Sequence, residues 1–226
     1  MNDWRVRWRN LQGSALYLYS RLVTQTCCLR VEGWENLAAA EKSERPLLWS
    51  FWHGQVMPFI SFGDRYLENE EFVAIVVGDT RADTLSIFAD RLRAQTYQVD
   101  MEGNPFAAGR AVLRVVRAMQ QGKQSIIAPD GPDGPAFVPK PGVSFLARKA
   151  EAALLPLGVW TRHAYQLKRW DRYLVPYPFA RIHVFLGKPL YVDRKADNDR
   201  LLQQVAAALH KARARAQVLA GVRPWI

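Results

Sequence analysis

Histidine is scarce in this chain, four residues in 226, so the setting of each one carries information. His163, His183 and His210 stand in no suggestive place. His53 closes the apolar run 47–52 and is followed by Gly54, so it emerges where a strand ends and where backbone can approach a ligand closely. Imidazole titrates near neutrality and can take the proton of a hydroxyl as that oxygen attacks an acyl group. A hydrogen-bonded core histidine is the other reading of the same residue. A second constellation is 128–135, Ala-Pro-Asp-Gly-Pro-Asp-Gly-Pro, which can be neither helix nor interior strand. It reads as a stiff loop that fixes Asp130 and leaves the backbone N–H groups of Gly131 and Gly134 exposed. Lys140, between Pro139 and Pro141, has the chemistry to bind a phosphate. In the third constellation, 78–83, Asp83 is placed to cap the helix after it or to support the imidazole.

The elements that must position these groups follow from periodicity. Short apolar runs alternate with amphipathic stretches from Arg30 onward, the pattern of an α/β domain. Strands are predicted at 47–52, 72–77, 125–128, 154–160 and 182–186. One helix is expected after Asp83, with Leu85, Phe88 and Leu92 inward. Another starts at an Asn104 cap with Pro105 in its first turn and ends at Gly122, its Leu113, Val116 and Met119 facing the sheet. A third follows Pro141-Gly142, with Val143, Leu146 and Ala150 inward. The last runs from about Asp199 to Ala220 and is stopped by Gly221 and Pro224. With no repeat or linker visible, the expectation is a helical segment at 1–29 followed by one domain at 30–226.

The bulk composition suits a folded protein: 49% hydrophobic and 23% charged residues, with 31 Lys and Arg against 21 Asp and Glu, a formal charge of +10. That charge favours polyanionic partners. Eight Trp, eight Tyr and ten Phe, many beside arginines, tilt the expectation toward a lipid interface. The first segment repeats Trp4, Trp8, Leu11, Ala15, Leu18 and Leu22 at helical spacing, with arginines in other directions. Such a stripe suits a headgroup boundary, and it equally suits packing on the domain's own core. No run is long and apolar enough to span a bilayer, and residues 1–30 do not read as a secretory leader. The adjacent Cys27 and Cys28 read as small hydrophobes within a helix. Gly-x-Ser-x-Gly and glycine-rich phosphate loops are absent, and scattered histidines argue against metal.

Taken together, Trp52-His53-Gly54, Asp83, the loop from Pro129 to Pro135, Lys140-Pro141-Gly142, Leu155-Pro156, Trp170-Asp171-Arg172, Pro178-Phe179 and Gly187-Lys188-Pro189 resemble the lysophospholipid acyltransferase-like superfamily. The likeness is to its bacterial branch long listed as a domain of unknown function, over roughly residues 30–192. It implies a mixed, mostly parallel sheet flanked by helices, preceded by the N-terminal amphipathic helix. It also implies transfer of a fatty acyl group from acyl-CoA or an acyl carrier protein to a lipid hydroxyl. His53 would be the base and Asp83 the supporting carboxylate, with Trp52, Arg81, Asp130, Gly131 and Lys140 binding substrate. The thioester is then a co-substrate, and neither a cofactor, a metal nor nucleic acid is expected. The expected partner is a membrane surface, approached peripherally from the cytoplasmic face of the inner membrane. The sequence departs from the superfamily at His-x4-Asp, where Pro58 replaces the carboxylate, and at Glu-Gly-Thr, where Asp130-Gly131-Pro132 stands. Glu102 and Asp133 occupy places that are usually basic in that branch. The competing expectation is a non-enzymatic basic module that binds anionic membrane surfaces.

Overall fold

Apolar runs bounded by Pro and Gly set the order of elements. A computed structural model describes residues 3–68, 70–77, 94–99, 105–131 and 133–224. The Arg81 and Asp83 candidates, the helix expected after Asp83 and the Asn104 cap lie outside these residues.

Helix α1 (Asp3–Thr26) leads to β1 (Cys28–Glu32), α2 (Trp34–Lys42) and β2 (Leu47–Ser50). A 3₁₀ turn (His53–Gln55) then opens α3 (Val56–Tyr66). Next come β3 (Phe72–Val77), β4 (Ala94–Val99), α4 (Pro105–Gln120), β5 (Gln124–Ile127), α5 (Pro141–Ala150) and β6 (Ala153–Thr161). The chain closes with the hairpin β7 (Ala164–Gln166) and β8 (Leu174–Pro176), then β9 (Arg181–Leu186), β10 (Leu190–Tyr191) and α6 (Asn198–Leu219).

Eight strands form one sheet in the order β1-β9-β6-β2-β5-β3-β4, with β10 added on β6. Pairing is parallel except where β6 meets β9 and β10. This is the mixed, mostly parallel sheet of a single α/β domain. Helices cover both faces, so the inner strands are mostly apolar rather than alternating, and every residue of β6 is buried. Successive side chains still point to opposite layers. Leu47, Trp49 and Phe51 enter the core shared with Phe59 and Phe62 of α3, while Leu48 and Trp52 enter the core shared with α4, α5 and α6. Each large side chain buried in this way contributes roughly 1.5–3 kcal/mol. Helix α6 lies on β6 so closely that a Cβ at Gly158 would stand 2.0 Å from the Ala212 carbonyl oxygen.

Several expectations need correction. Cys27 is buried just past the end of α1, and Cys28 is exposed on β1, so the pair does not sit within a helix. Leu113 is 45% exposed, whereas Val116 and Met119 face inward as expected, joined there by Ala111 and Val115. The outward stripe of α1 does not pack on the core. Trp8, Leu11 and Leu18 are each more than half exposed, while Ser20, Val23 and Thr24 face inward.

Candidate active site

Parallel pairing brings the first two constellations together. Ser50 of β2 sits opposite Ile127 of β5, and His53 and Asp130 each stand three residues beyond that pair, at the carboxyl ends of adjacent strands. Ligand sites of open α/β sheets form at such ends. The His53 backbone N–H donates to Asp130 Oδ1 at 2.9 Å, and the Phe137 N–H donates to Oδ2 at 3.1 Å. Both oxygens of this carboxylate, 1% exposed, are therefore committed to fastening the proline-glycine loop onto the histidine. Burial pushes the Asp130 carboxyl above the usual aspartate range, and the amide hydrogen bonds pull part of that shift back.

The loop also closes on itself. Gly131 N–H donates to Ala128 O, Gly134 N–H to Asp130 O and Lys140 N–H to Pro129 O. The glycine amides expected to be exposed are thus already bound. Gly131 has a different importance: a Cβ there would lie 2.7 Å from His53 Cδ2, so the loop backbone is the wall of the imidazole. Trp52, 0% exposed, packs on Phe137 and His210. The Lys140 side chain forms no hydrogen bond or ion pair with these residues.

The carboxylate that meets the imidazole among the described residues is Asp171, a residue to which sequence reasoning gave no catalytic role. His53 Nδ1 lies 2.8 Å from Asp171 Oδ2. Asp171 sits on the loop joining β7 to β8, its side chain fully buried, and Arg169 Nη2 donates to the same oxygen at 3.0 Å. The Trp170 and Tyr173 rings flank the imidazole, with centroids 5.4 and 6.0 Å away. Burial first, and the Asp171 charge second, push the Tyr173 phenol up. Gly54 makes the approach possible, because a Cβ there would stand 2.2 Å from the Asp171 carbonyl oxygen. Gly134 does the same for Trp170, whose ring a Cβ would meet at 2.7 Å. Trp-His-Gly, the proline-glycine loop and Trp-Asp-Arg are therefore one interlocked unit. Their presence together in the sequence was the available signal for Asp171. Its distance of 118 residues from His53 hid the pairing from any local pattern.

The chemical consequence is directional. A carboxylate accepts, so Nδ1 carries the proton and Nε2 keeps a lone pair, the arrangement of an oriented general base. Among the described residues, no three His, Cys, Asp or Glu side chains gather as metal ligands.

No family model matches the chain. It is 26% identical over 179 residues to the uncharacterized protein RP090 of Rickettsia prowazekii (strain Madrid E), covering 77% of this chain and 78% of that one. Among solved structures it is similar to the 1-acyl-sn-glycerophosphate (LPA) acyltransferase PlsC of Thermotoga maritima, with a TM-score of 0.57 over 97% of this chain and 83% of that chain. At 18% identity that likeness is one of architecture, and the chain has the mixed α/β fold of that acyltransferase.

Proposed function

We propose that the protein is an acyltransferase that moves a fatty acyl group from a thioester, acyl-CoA or acyl carrier protein, to a hydroxyl of a lipid acceptor. The observation that carries this reading is the His53 Nδ1 to Asp171 Oδ2 contact, which leaves Nε2 as the base at the mouth of the sheet. Nε2 removes the acceptor's hydroxyl proton as its oxygen bonds to the thioester carbonyl carbon. The tetrahedral intermediate then expels the thiolate, which takes the proton from the imidazolium. General base catalysis of this kind contributes about 10² to 10⁴ in rate. A fold shared with a protein titled an LPA acyltransferase supports the reaction class.

A membrane surface as partner is supported by the inverted helix α1. Its outward face carries Trp4, Trp8, Leu11, Leu18 and Leu22, and Phe179 stands 77% exposed beside its last turn. No helix among the described residues is long and apolar enough to cross a membrane, so attachment at the cytoplasmic face of the inner membrane would be peripheral. A basic module that merely binds anionic membranes would have no use for a buried Asp171 aimed at a half-buried imidazole. Lipid mass spectra of cells with the gene, without it, and with His53→Ala test the reading. Loss of one acylated species in both the deletion and the folded variant is expected, and full restoration by His53→Ala would refute it.

A further inference from the structure

The Asp171 carboxylate is engaged on one side only. Its Oδ2 meets His53 Nδ1 at 2.8 Å and Arg169 Nη2 at 3.0 Å, whereas Oδ1 is buried with no hydrogen-bond partner among the described residues. Two more buried polar atoms share that condition, the donor Trp52 Nε1 and the acceptor Gln55 Oε1. Asp171, Trp52 and Gln55 are 2%, 0% and 3% exposed, and all three line one pocket of about 10 Å³, with Arg213 of α6 on the same wall. A pocket of that size has room for a single water and for no substrate group. The Gln55 amide is not free to turn, because its Nε2 donates to Val159 O at 2.8 Å and Oε1 is the end left over. Trp52 is held between the Phe137 and His210 rings, with centroids 5.6 and 5.3 Å away. The Arg213 guanidinium, 4.4 Å over the Phe137 ring, adds N–H donors. Burial first, and the Arg172 charge second, push Arg213 down to about 10, which leaves it charged at neutral pH. Two acceptors and two donors around one small pocket are the complement of a water molecule, which donates two hydrogen bonds and accepts two.

We propose that one buried water in this pocket bridges Trp52 Nε1, Gln55 Oε1 and Asp171 Oδ1, so that Trp52 and Gln55 are positioning residues for the carboxylate that aims His53. The water donates to Asp171 Oδ1 and Gln55 Oε1 and accepts from the Trp52 indole N–H and from Arg213. It thereby links the buried guanidinium to a carboxylate through one molecule, and a buried charge is tolerated when such a partner is supplied. Tied at both oxygens, Asp171 keeps Oδ2 turned toward Nδ1. Trp52 then serves the site from behind the imidazole rather than by touching substrate. As a water site the pocket stands on its own; as a positioning device it rests on the transferase reading above, in which His53 is the base.

A crystal structure of the full chain, at a resolution that shows ordered water, tests the site directly. One density peak within hydrogen-bond distance of Trp52 Nε1, Gln55 Oε1 and Asp171 Oδ1 is expected. A clear map without that peak, or direct pairing between any two of these atoms, overturns the proposal whether or not transfer is observed. The positioning role is read from the His53 Nδ1 proton in NMR spectra of the same chain, which require no substrate. In wild type this proton, held by a buried carboxylate, is expected as a downfield resonance that exchanges slowly with solvent. Trp52→Phe keeps an aromatic ring and removes the donor; with circular dichroism unchanged, it is expected to speed that exchange at least several-fold. Should that variant not fold, Gln55→Met, which removes the acceptor at similar length, is expected to do the same. Wild-type exchange in the folded variants overturns the positioning role. Absence of the resonance in wild type overturns it together with the His53–Asp171 pairing, while the density map alone decides the water.

Discussion

At the scale of single residues, the proposed reaction divides one task between His53, which would move the proton, and Asp171, whose carboxylate lies 2.8 Å from Nδ1 and would aim it. Asp171→Asn keeps the size of the side chain and can turn its amide toward Nδ1, which would place the proton on Nε2 and remove the base. We expect kcat to fall about 10²- to 10⁴-fold with KM little changed, as in other sites where the orienting carboxylate is lost. Steady-state kinetics on a folded variant check this, and a KM effect alone would mean that Asp171 only shapes the pocket. The place of His53 at a strand end was legible in the sequence because it closes an apolar run and is followed by glycine. Asp171 carried no such local mark. Its contact with His53 arises from a hairpin loop folded across the sheet end, a relation that residue spacing does not encode.

At the scale of elements, glycines decide how close the three loops come. Gly54 lets the β7–β8 loop press its backbone against the 3₁₀ turn, and a Cβ 2.2 Å from Asp171 O has no flexible neighbour to displace. Gly54→Ala should therefore cost roughly 1–3 kcal/mol of stability, the usual penalty of overpacking. Urea denaturation would show it as a lower midpoint with unchanged slope. An unchanged midpoint would mean that the loop yields freely. The strands that pair Ser50 with Ile127 were legible because buried parallel strands are apolar on both faces. The edge strand β4, Ala-Gln-Thr-Tyr-Gln-Val, was not, since polar residues there conceal the pattern. The two-residue β10 and three-residue β7 and β8 are too short to carry any periodicity.

At the scale of the whole molecule, helix α1 is held by polar contacts and exposes its apolar side, the reverse of an ordinary surface helix. Arg21 pairs with Asp64, Thr24 Oγ1 donates to Ser61 Oγ, and Tyr19 Oη donates to Pro176 O at 2.8 Å. The sequence displayed the stripe without telling which way it turned, because that depends on the polar partners supplied by α3 and β8. Apolar area facing outward on a chain of charge +10 predicts an anionic bilayer as its cover, with burial and attraction adding. Trp8→Ser combined with Leu18→Ser removes two outward side chains at 57% and 65% exposure, so folding should be little affected. Loss of burial worth about 1.5–3 kcal/mol for one large side chain corresponds to roughly ten- to a hundredfold in partitioning, and two such losses give at least the lower figure. Co-sedimentation with vesicles containing anionic lipid, at low and high salt, measures it. Binding by wild type should weaken as salt screens the arginines, and the double variant should bind at least tenfold more weakly at every salt concentration. Equal binding by the two proteins would place the membrane contact elsewhere on the molecule.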